Sequence, residues 1–316
     1  MYHSIAATQA DPWCITVTPQ NFADHLKVLQ QFGKPISLTD FAHGMARGEL
    51  PQRAIALTFD DGYANNLEVA KPLLEQYDIP ATVFVASGYL DQNREFWWDE
   101  LAQLLLTPGL LPAQLALEVN GHTQKWHLGA AQTYTEAMAQ QDSCCLVESA
   151  EPGSRLALYG QLWQALLHLP FAMRQQTLDA LWVWADRSPQ VRSAYRPLRS
   201  DELLPLEQSG HVSVGGHTVT HSMLSRLSTE EQFQEIYQCK VDLEVKLGHV
   251  IHSFAYPFGN YSPTTVPCVA EAGFSHACST IVDTAWSRYD AYQLPRFEAQ
   301  NWSGPELVRR LRRLFW

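Results

Sequence analysis

A short apolar run, Ala54–Phe59 (AIALTF), stops abruptly at Asp60-Asp61-Gly62, and a second run, Ala81–Ala86 (ATVFVA), begins about twenty residues later. Between them Asn65–Tyr77 has the pattern of a helix, with Pro72 marking a kink or a later start. Two buried-type strands joined through a helix must run parallel, because antiparallel neighbours need only a tight turn. The fold class is therefore α/β, with a parallel sheet covered by helices.

The same rhythm returns late in the chain. Val212–Val214 runs into Gly215-Gly216-His217, and Thr229–Leu247 reads as a helix with early Glu230 and Glu231 and a stop at Gly248. Ser253–Tyr256 is a strand ending at Pro257-Phe258-Gly259, Thr264–Ala272 a helix closed by Gly273, and Ala277–Ser279 a short strand. Near the N-terminus, Asn21–Phe32 spaces Phe22, Leu26 and Leu29 as one helical face. The final stretch, Pro305–Phe315, is a helix bearing Arg309, Arg310, Arg312 and Arg313. These read either as an anionic contact or as a solvated face whose charges suit a helix C-terminus.

The segment from Asn93 to Arg199 differs. It holds Phe96-Trp97-Trp98, Leu-rich helical stretches and one weak strand, Gln114–Val119, without a compact polar motif. It is expected to be a mostly helical insertion, residues 93–199, within a single domain spanning 1–316. With 316 residues, 46% of them apolar, the chain can bury a large core. A net charge of −11 excludes a general nucleic-acid binder. No stretch approaches the ~18 uninterrupted apolar residues of a membrane span. Met1-Tyr2-His3-Ser4 lacks a charged region followed by an apolar run, so a cytoplasmic location is expected. The six cysteines, Cys14, Cys144, Cys145, Cys239, Cys268 and Cys278, lack C-x-x-C spacing and are expected to be small buried hydrophobes in a reducing compartment.

Chemistry concentrates in two motifs. Thr58-Phe59-Asp60-Asp61-Gly62 puts two carboxylates at the C-terminal end of a parallel strand, where α/β enzymes keep their sites. Neighbouring carboxylates repel, so the pair needs a cation or a shared proton; alone it could equally be a turn. His217-Thr218-Val219-Thr220-His221 spaces two imidazoles by four residues, which on a helical turn gives one face able to share an ion. Two histidines and a carboxylate form a recurrent catalytic metal set with positions left open.

Together these motifs resemble those of the NodB-type polysaccharide deacetylases, carbohydrate esterase family 4, across both outer regions. The resemblance implies a distorted (β/α)7-type barrel, one divalent metal held by Asp61, His217 and His221, and Asp60 as general base. Zinc suits the ligands, with nickel, cobalt or iron compatible. The family's third motif, Arg-x-Pro-aromatic-Gly, matches here at Pro257, Phe258 and Gly259. Ala255 stands where the arginine should be, which marks a branch with an Ala-Tyr-Pro-Phe-Gly motif. Arg296, in Leu294-Pro295-Arg296-Phe297, is the candidate replacement for orienting Asp60; as a bland alternative it forms a structural ion pair. The terminal histidine motif is missing. His3, in Tyr2-His3-Ser4-Ile5, is the candidate acid, ahead of His276 and His211. Tyr256, Pro257, Phe258, Tyr63, Tyr261 and Trp98 are candidate substrate or oxyanion contacts, although Trp98 equally suits a core. The implied reaction is hydrolysis of N-acetyl groups on a sugar or polysaccharide, with release of acetate. An O-acetyl ester, a cyclic amide, or a glycan-binding protein whose catalysis has decayed are the alternatives.

Overall fold

The computed structural model describes residues 1–7, 10–119, 121–143, 145–285 and 289–315, so Cys144 lies outside the described residues. The chain forms two compact units. One contains 1–7, 15–92 and 197–316, and the other contains 8–14 and 93–196.

The first unit is built on five parallel strands in sequential order: β1 (Leu57–Phe59), β2 (Ala81–Val85), β3 (Val212–Gly216), β4 (Ser253–Ala255) and β5 (His276–Cys278). Single parallel bridges extend it at both edges, Tyr2 to Phe59 and Cys278 to Leu294. The two outermost segments then meet. Met1 N donates to Phe297 O at 2.7 Å, and Ala299 N donates to Met1 O at 2.9 Å. The sheet thus returns on itself as a distorted (β/α) barrel, with no regular ladder along its last two walls.

Alternation along each strand sorts the core. Val83, Phe254 and Ala277 face outward into the large cluster that includes Phe22, Leu26 and Leu29 from the helix Pro19–Phe32. Burying side chains of this size stabilises by roughly 1.5–3 kcal/mol each. Their strand neighbours Phe84, Ala255 and Cys278 have the opposite parity and pack with Leu294 against Leu38, Ala42 and Met45 of the helix Leu38–Arg47. The helix Thr229–Leu247, between β3 and β4, opens with a Ser228/Glu231 capping box and ends on left-handed Gly248.

The helix after β1 departs from the regular reading. Asn66–Ala70 is a π turn, and α-helix resumes only at Lys71–Gln76. Pro72 cannot supply an amide to the preceding turn, so the ladder widens there. Cys239, Cys268 and Cys278 are buried, as small apolar side chains are. In the helix Gly304–Phe315, Arg309 and Arg310 both pair with Glu306.

The second unit contains the helices Trp97–Leu106, Glu136–Asp142, Arg155–Leu167 and Phe171–Trp184. It also contains an antiparallel hairpin, Gln114–Val119 with His122–His127, so it is less purely helical than its Leu-rich sequence suggests. It ends at Arg196 and takes in residues 10–14, whose Trp13 Nε1 donates to Tyr159 Oη at 2.8 Å. Fully buried Arg155 is satisfied by the carbonyls of Ala131, Leu105 and Gln132. Among the described residues no helix is long and apolar enough to cross a membrane.

Candidate functional site

Strand β1 delivers Asp60 and Asp61 to the C-terminal edge of the barrel and then turns sharply. Asp61 has φ +73° and Gly62 φ +83°. Aspartate tolerates this left-handed conformation better than most residues. Because of the turn, the two adjacent carboxylates face different partners.

Asp61 faces β3. Its Oδ1 lies 3.1 Å from His221 Nε2 and 3.5 Å from His217 Nε2, and all three residues are buried. One ligand atom from each falls within 4.8 Å of the others. His217 Nδ1 lies 2.8 Å from the carbonyl of Ala255, which can only accept a hydrogen bond. The proton therefore sits on Nδ1, and Nε2 presents its lone pair to the cluster. Burial pushes the Asp61 carboxyl up, but the two histidines more than reverse this and hold it well below the usual range. Three buried donors with their lone pairs converging suit a divalent cation.

Asp60 faces the opposite way, toward Arg296. Nη1 donates to Oδ1 at 2.6 Å and Nη2 to Oδ2 at 2.8 Å. Arg296 also donates to Thr58 Oγ1 and the Ser279 carbonyl, and its guanidinium lies 5.6 Å from the centre of the Phe84 ring. Burial raises the Asp60 pKa, the Arg296 charge outweighs it, and the carboxylate is held below its ordinary value. Ala255 leaves the barrel interior small at its own position, and the arginine enters from residues 294–299 instead.

The His-x-x-x-His segment is not a helical turn. His217 follows directly from β3, and residues 217–221 form an irregular loop in which Thr218 has φ +64° and His221 φ +53°. Those left-handed residues, not helical periodicity, bring His221 back to Asp61. The loop is held by Glu235 of the Thr229–Leu247 helix, which accepts from the amides of Val219 and Thr220. Glu235 went unnoticed in the sequence, where it looks like one more charge on a polar helix face.

His3 stands on the same barrel edge. Its Nδ1 is 3.7 Å from Glu298 Oε1, and its carbonyl accepts from Asn66 Nδ2. Phe258, at φ +57°, rests its ring edge-on to His221 with centroids 4.5 Å apart. Phe258 is 38% exposed, whereas Pro257 and Tyr256 are buried. Gly259 has no room for a side chain, since a Cβ would lie 1.8 Å from Thr280 Oγ1.

Several of the expected substrate contacts are buried. Tyr256 is turned inward and donates its hydroxyl to the Tyr292 carbonyl at 2.8 Å, and Tyr261 packs on its ring. Tyr63 is buried, bridging to Pro197 through its backbone. Trp98 is buried in the second unit, stacked on Phe96 at 4.9 Å and edge-on to Trp97. The rings of Tyr256, Tyr261 and Trp98 thus pack against other aromatic side chains. His276 and His211 lie at the opposite, N-terminal ends of their strands. His276 bonds Ser253 Oγ at 2.7 Å and His211 bonds Asp78.

The polysaccharide deacetylase family model matches residues 47–141 and 178–277, bracketing both motifs. The chain belongs to the polysaccharide deacetylase family. Among its relatives, the poly-beta-1,6-N-acetyl-D-glucosamine N-deacetylase of Staphylococcus aureus is 31% identical over 79 residues, 25% of this chain and 27% of that protein. The matches to curated relatives span between about a quarter and two-fifths of their length. Solved structures share the fold along nearly the whole chain. The Streptococcus pyogenes deacetylase PplD, in complex with acetate, superposes with a TM-score of 0.56 at 19% identity, covering 98% of this chain and 95% of that one. IcaB from Ammonifex degensii gives 0.58 at 17% identity, covering 98% and 93%.

Proposed function

We propose that this chain is a metal-dependent hydrolase that removes N-acetyl groups from an N-acetylated sugar or polysaccharide and releases acetate. The observation that carries this reading is the divided aspartate pair. Asp61 converges with His217 and His221 on one point, while Asp60, beside it, is held ionised by Arg296. Membership of the polysaccharide deacetylase family supports the reaction class.

Asp61, His217 and His221 would hold one divalent ion, with zinc the best match to two imidazoles and a carboxylate. When bound, the ion supplies Lewis acidity, lowering the pKa of the attacking water and drawing charge from the acetyl carbonyl. Asp60 takes the proton from that water. The planar Arg296 fork fixes the direction of the Asp60 carboxylate, so its lone pair does not wander. The carbonyl oxygen lies against the Phe258 turn as charge develops on it. His3, whose Nδ1 lies 3.7 Å from Glu298 Oε1, donates a proton to the departing nitrogen. The Ala-Tyr-Pro-Phe-Gly motif then defines a branch in which the orienting arginine comes from residue 296 rather than 255. Residues 93–199 are an insertion in the catalytic domain.

Acetate release should be measured across N-acetylated oligosaccharides, monosaccharides and lipid-linked sugars, together with O-acetyl esters, with metal content followed in parallel. Release from a sugar amide that vanishes on chelation and returns with zinc is the expected result. Undiminished turnover by carefully metal-stripped protein would overturn the proposal.

A further inference from the structure

The loop from His217 to His221 has no hydrogen-bond ladder of its own, yet it must present both imidazoles to Asp61. It passes through the left-handed region at Thr218 and again at His221, and for a β-branched threonine that conformation persists only when the surroundings impose it. Both sides of the loop are gripped. The carbonyls of Thr218 and Val219 accept from Ser87 N at 3.1 Å and Gly88 N at 2.8 Å. Residue 88 must be glycine for this approach, since a Cβ there would sit 2.6 Å from the Val219 oxygen.

On the other side Glu235 does the holding, its backbone carbonyl accepting from Val219 N at 3.1 Å and its carboxylate adding three further bonds. Glu235 Oε2 accepts from Val219 N at 3.0 Å and Thr220 N at 2.8 Å, and Oε1 accepts from Thr220 Oγ1 at 2.7 Å. Glu235 is itself fixed. Its helix neighbours Ile236 and Cys239 are buried, and Cys239 Sγ donates to the Val85 carbonyl, which also accepts from His217 N at 3.0 Å. The helix that carries Glu235 and the residue that follows β3, His217, therefore share one anchor on β2.

We infer that Glu235 is a positioning residue for metal binding. Its carboxylate holds the His217–His221 loop in its strained path, so that His221 Nε2 stands beside Asp61 before any ion arrives. This rests on the reading of Asp61, His217 and His221 as a metal site. Preorganisation of this kind is expressed in affinity, because without it the ion's binding energy must also order the loop.

The test is the dissociation constant for zinc of folded, metal-free protein, measured by competition with a chromophoric chelator, alongside the melting temperature. Glu235→Ala should weaken zinc binding by roughly 10–100-fold, the usual scale for groups that support metal ligands. Glu235→Gln should lose less, since its amide oxygen still accepts from both backbone amides. Thr220→Val should also weaken binding, and Thr220→Ser should restore it. If Glu235→Ala does not fold, the Gln and Val variants carry the test. Wild-type affinity in all the folded variants, even with lowered melting temperatures, would make Glu235 structural only and overturn the inference. Absence of zinc binding by the wild-type protein would instead overturn the metal-site reading beneath it.

Discussion

Arg296 and Asp60 are separated by 236 positions, yet they meet through two parallel hydrogen bonds of 2.6 and 2.8 Å inside the barrel. A bidentate, buried pair of this kind fixes the plane as well as the charge of the carboxylate. It also answers the question raised by Ala255. A guanidinium is present beside Asp60 but arrives from the segment beyond β5, and in the proposed mechanism it takes the orienting role that Ala255 cannot.

Arg296→Lys should therefore keep metal and lower kcat by roughly one to two orders of magnitude, because a point ammonium cannot reproduce the fork. Arg296→Met leaves a buried carboxylate without its cation and should cost about 3–5 kcal/mol of stability. Steady-state kinetics, metal analysis and denaturant titration separate the two outcomes. An unchanged rate in the Lys variant would show that Asp60 needs no orientation.

Asp60→Asn and His217→Ala should fail in different ways. The first keeps metal and loses about 10²–10⁴-fold in turnover, the usual contribution of a general base. The second loses metal, and activity with it. Metal content per chain, measured beside kcat, distinguishes them; equal metal loss in both would remove the division of labour between the two aspartates.

His3→Gln should slow hydrolysis of a sugar amide far more than that of an aryl acetate. An amine must be protonated to leave, whereas a phenolate of low pKa leaves unaided. Equal losses on both substrates would remove His3 from the acid role.

Stability should also fall on mild acidification, for a reason unconnected with the site. Burial lowers the His276 pKa from 6.5 to about 4. Between those values the unfolded chain binds a proton that the folded chain refuses. The contribution of the neutral, buried ring is therefore fully present above about pH 6.5 and is lost as pH falls toward 4, by roughly 3 kcal/mol. Urea titrations of wild type and His276→Asn at pH 7 and pH 5 should show a smaller pH dependence in the variant. Parallel losses in the two proteins would assign the effect elsewhere.

The primary sequence by itself determined the parallel α/β class, the strands that lead into Asp60-Asp61 and into His217, and the residue types of a candidate metal site. These are local facts. Apolar runs stop at glycine-rich turns, and the last residues of a parallel strand necessarily reach one edge of the sheet. The path taken by His221 was not local. It depends on Glu235 from the following helix and on Gly88 from the neighbouring strand end, so a spacing of four residues suggested a helical turn that the loop does not make. Likewise the rings of Tyr63, Tyr256 and Trp98 look identical in sequence whether they meet a sugar or a core, and only packing decided that they are covered. The Arg296–Asp60 pair lies furthest from the local chain. Which side chain fills the barrel beside Asp60 depends on the register between Cys278 and Leu294 and on the meeting of residues 294–299 with Met1. A one-residue slip in that register would turn Arg296 out of the barrel, because side chains alternate faces along a strand. Only closure of the tertiary structure selects it.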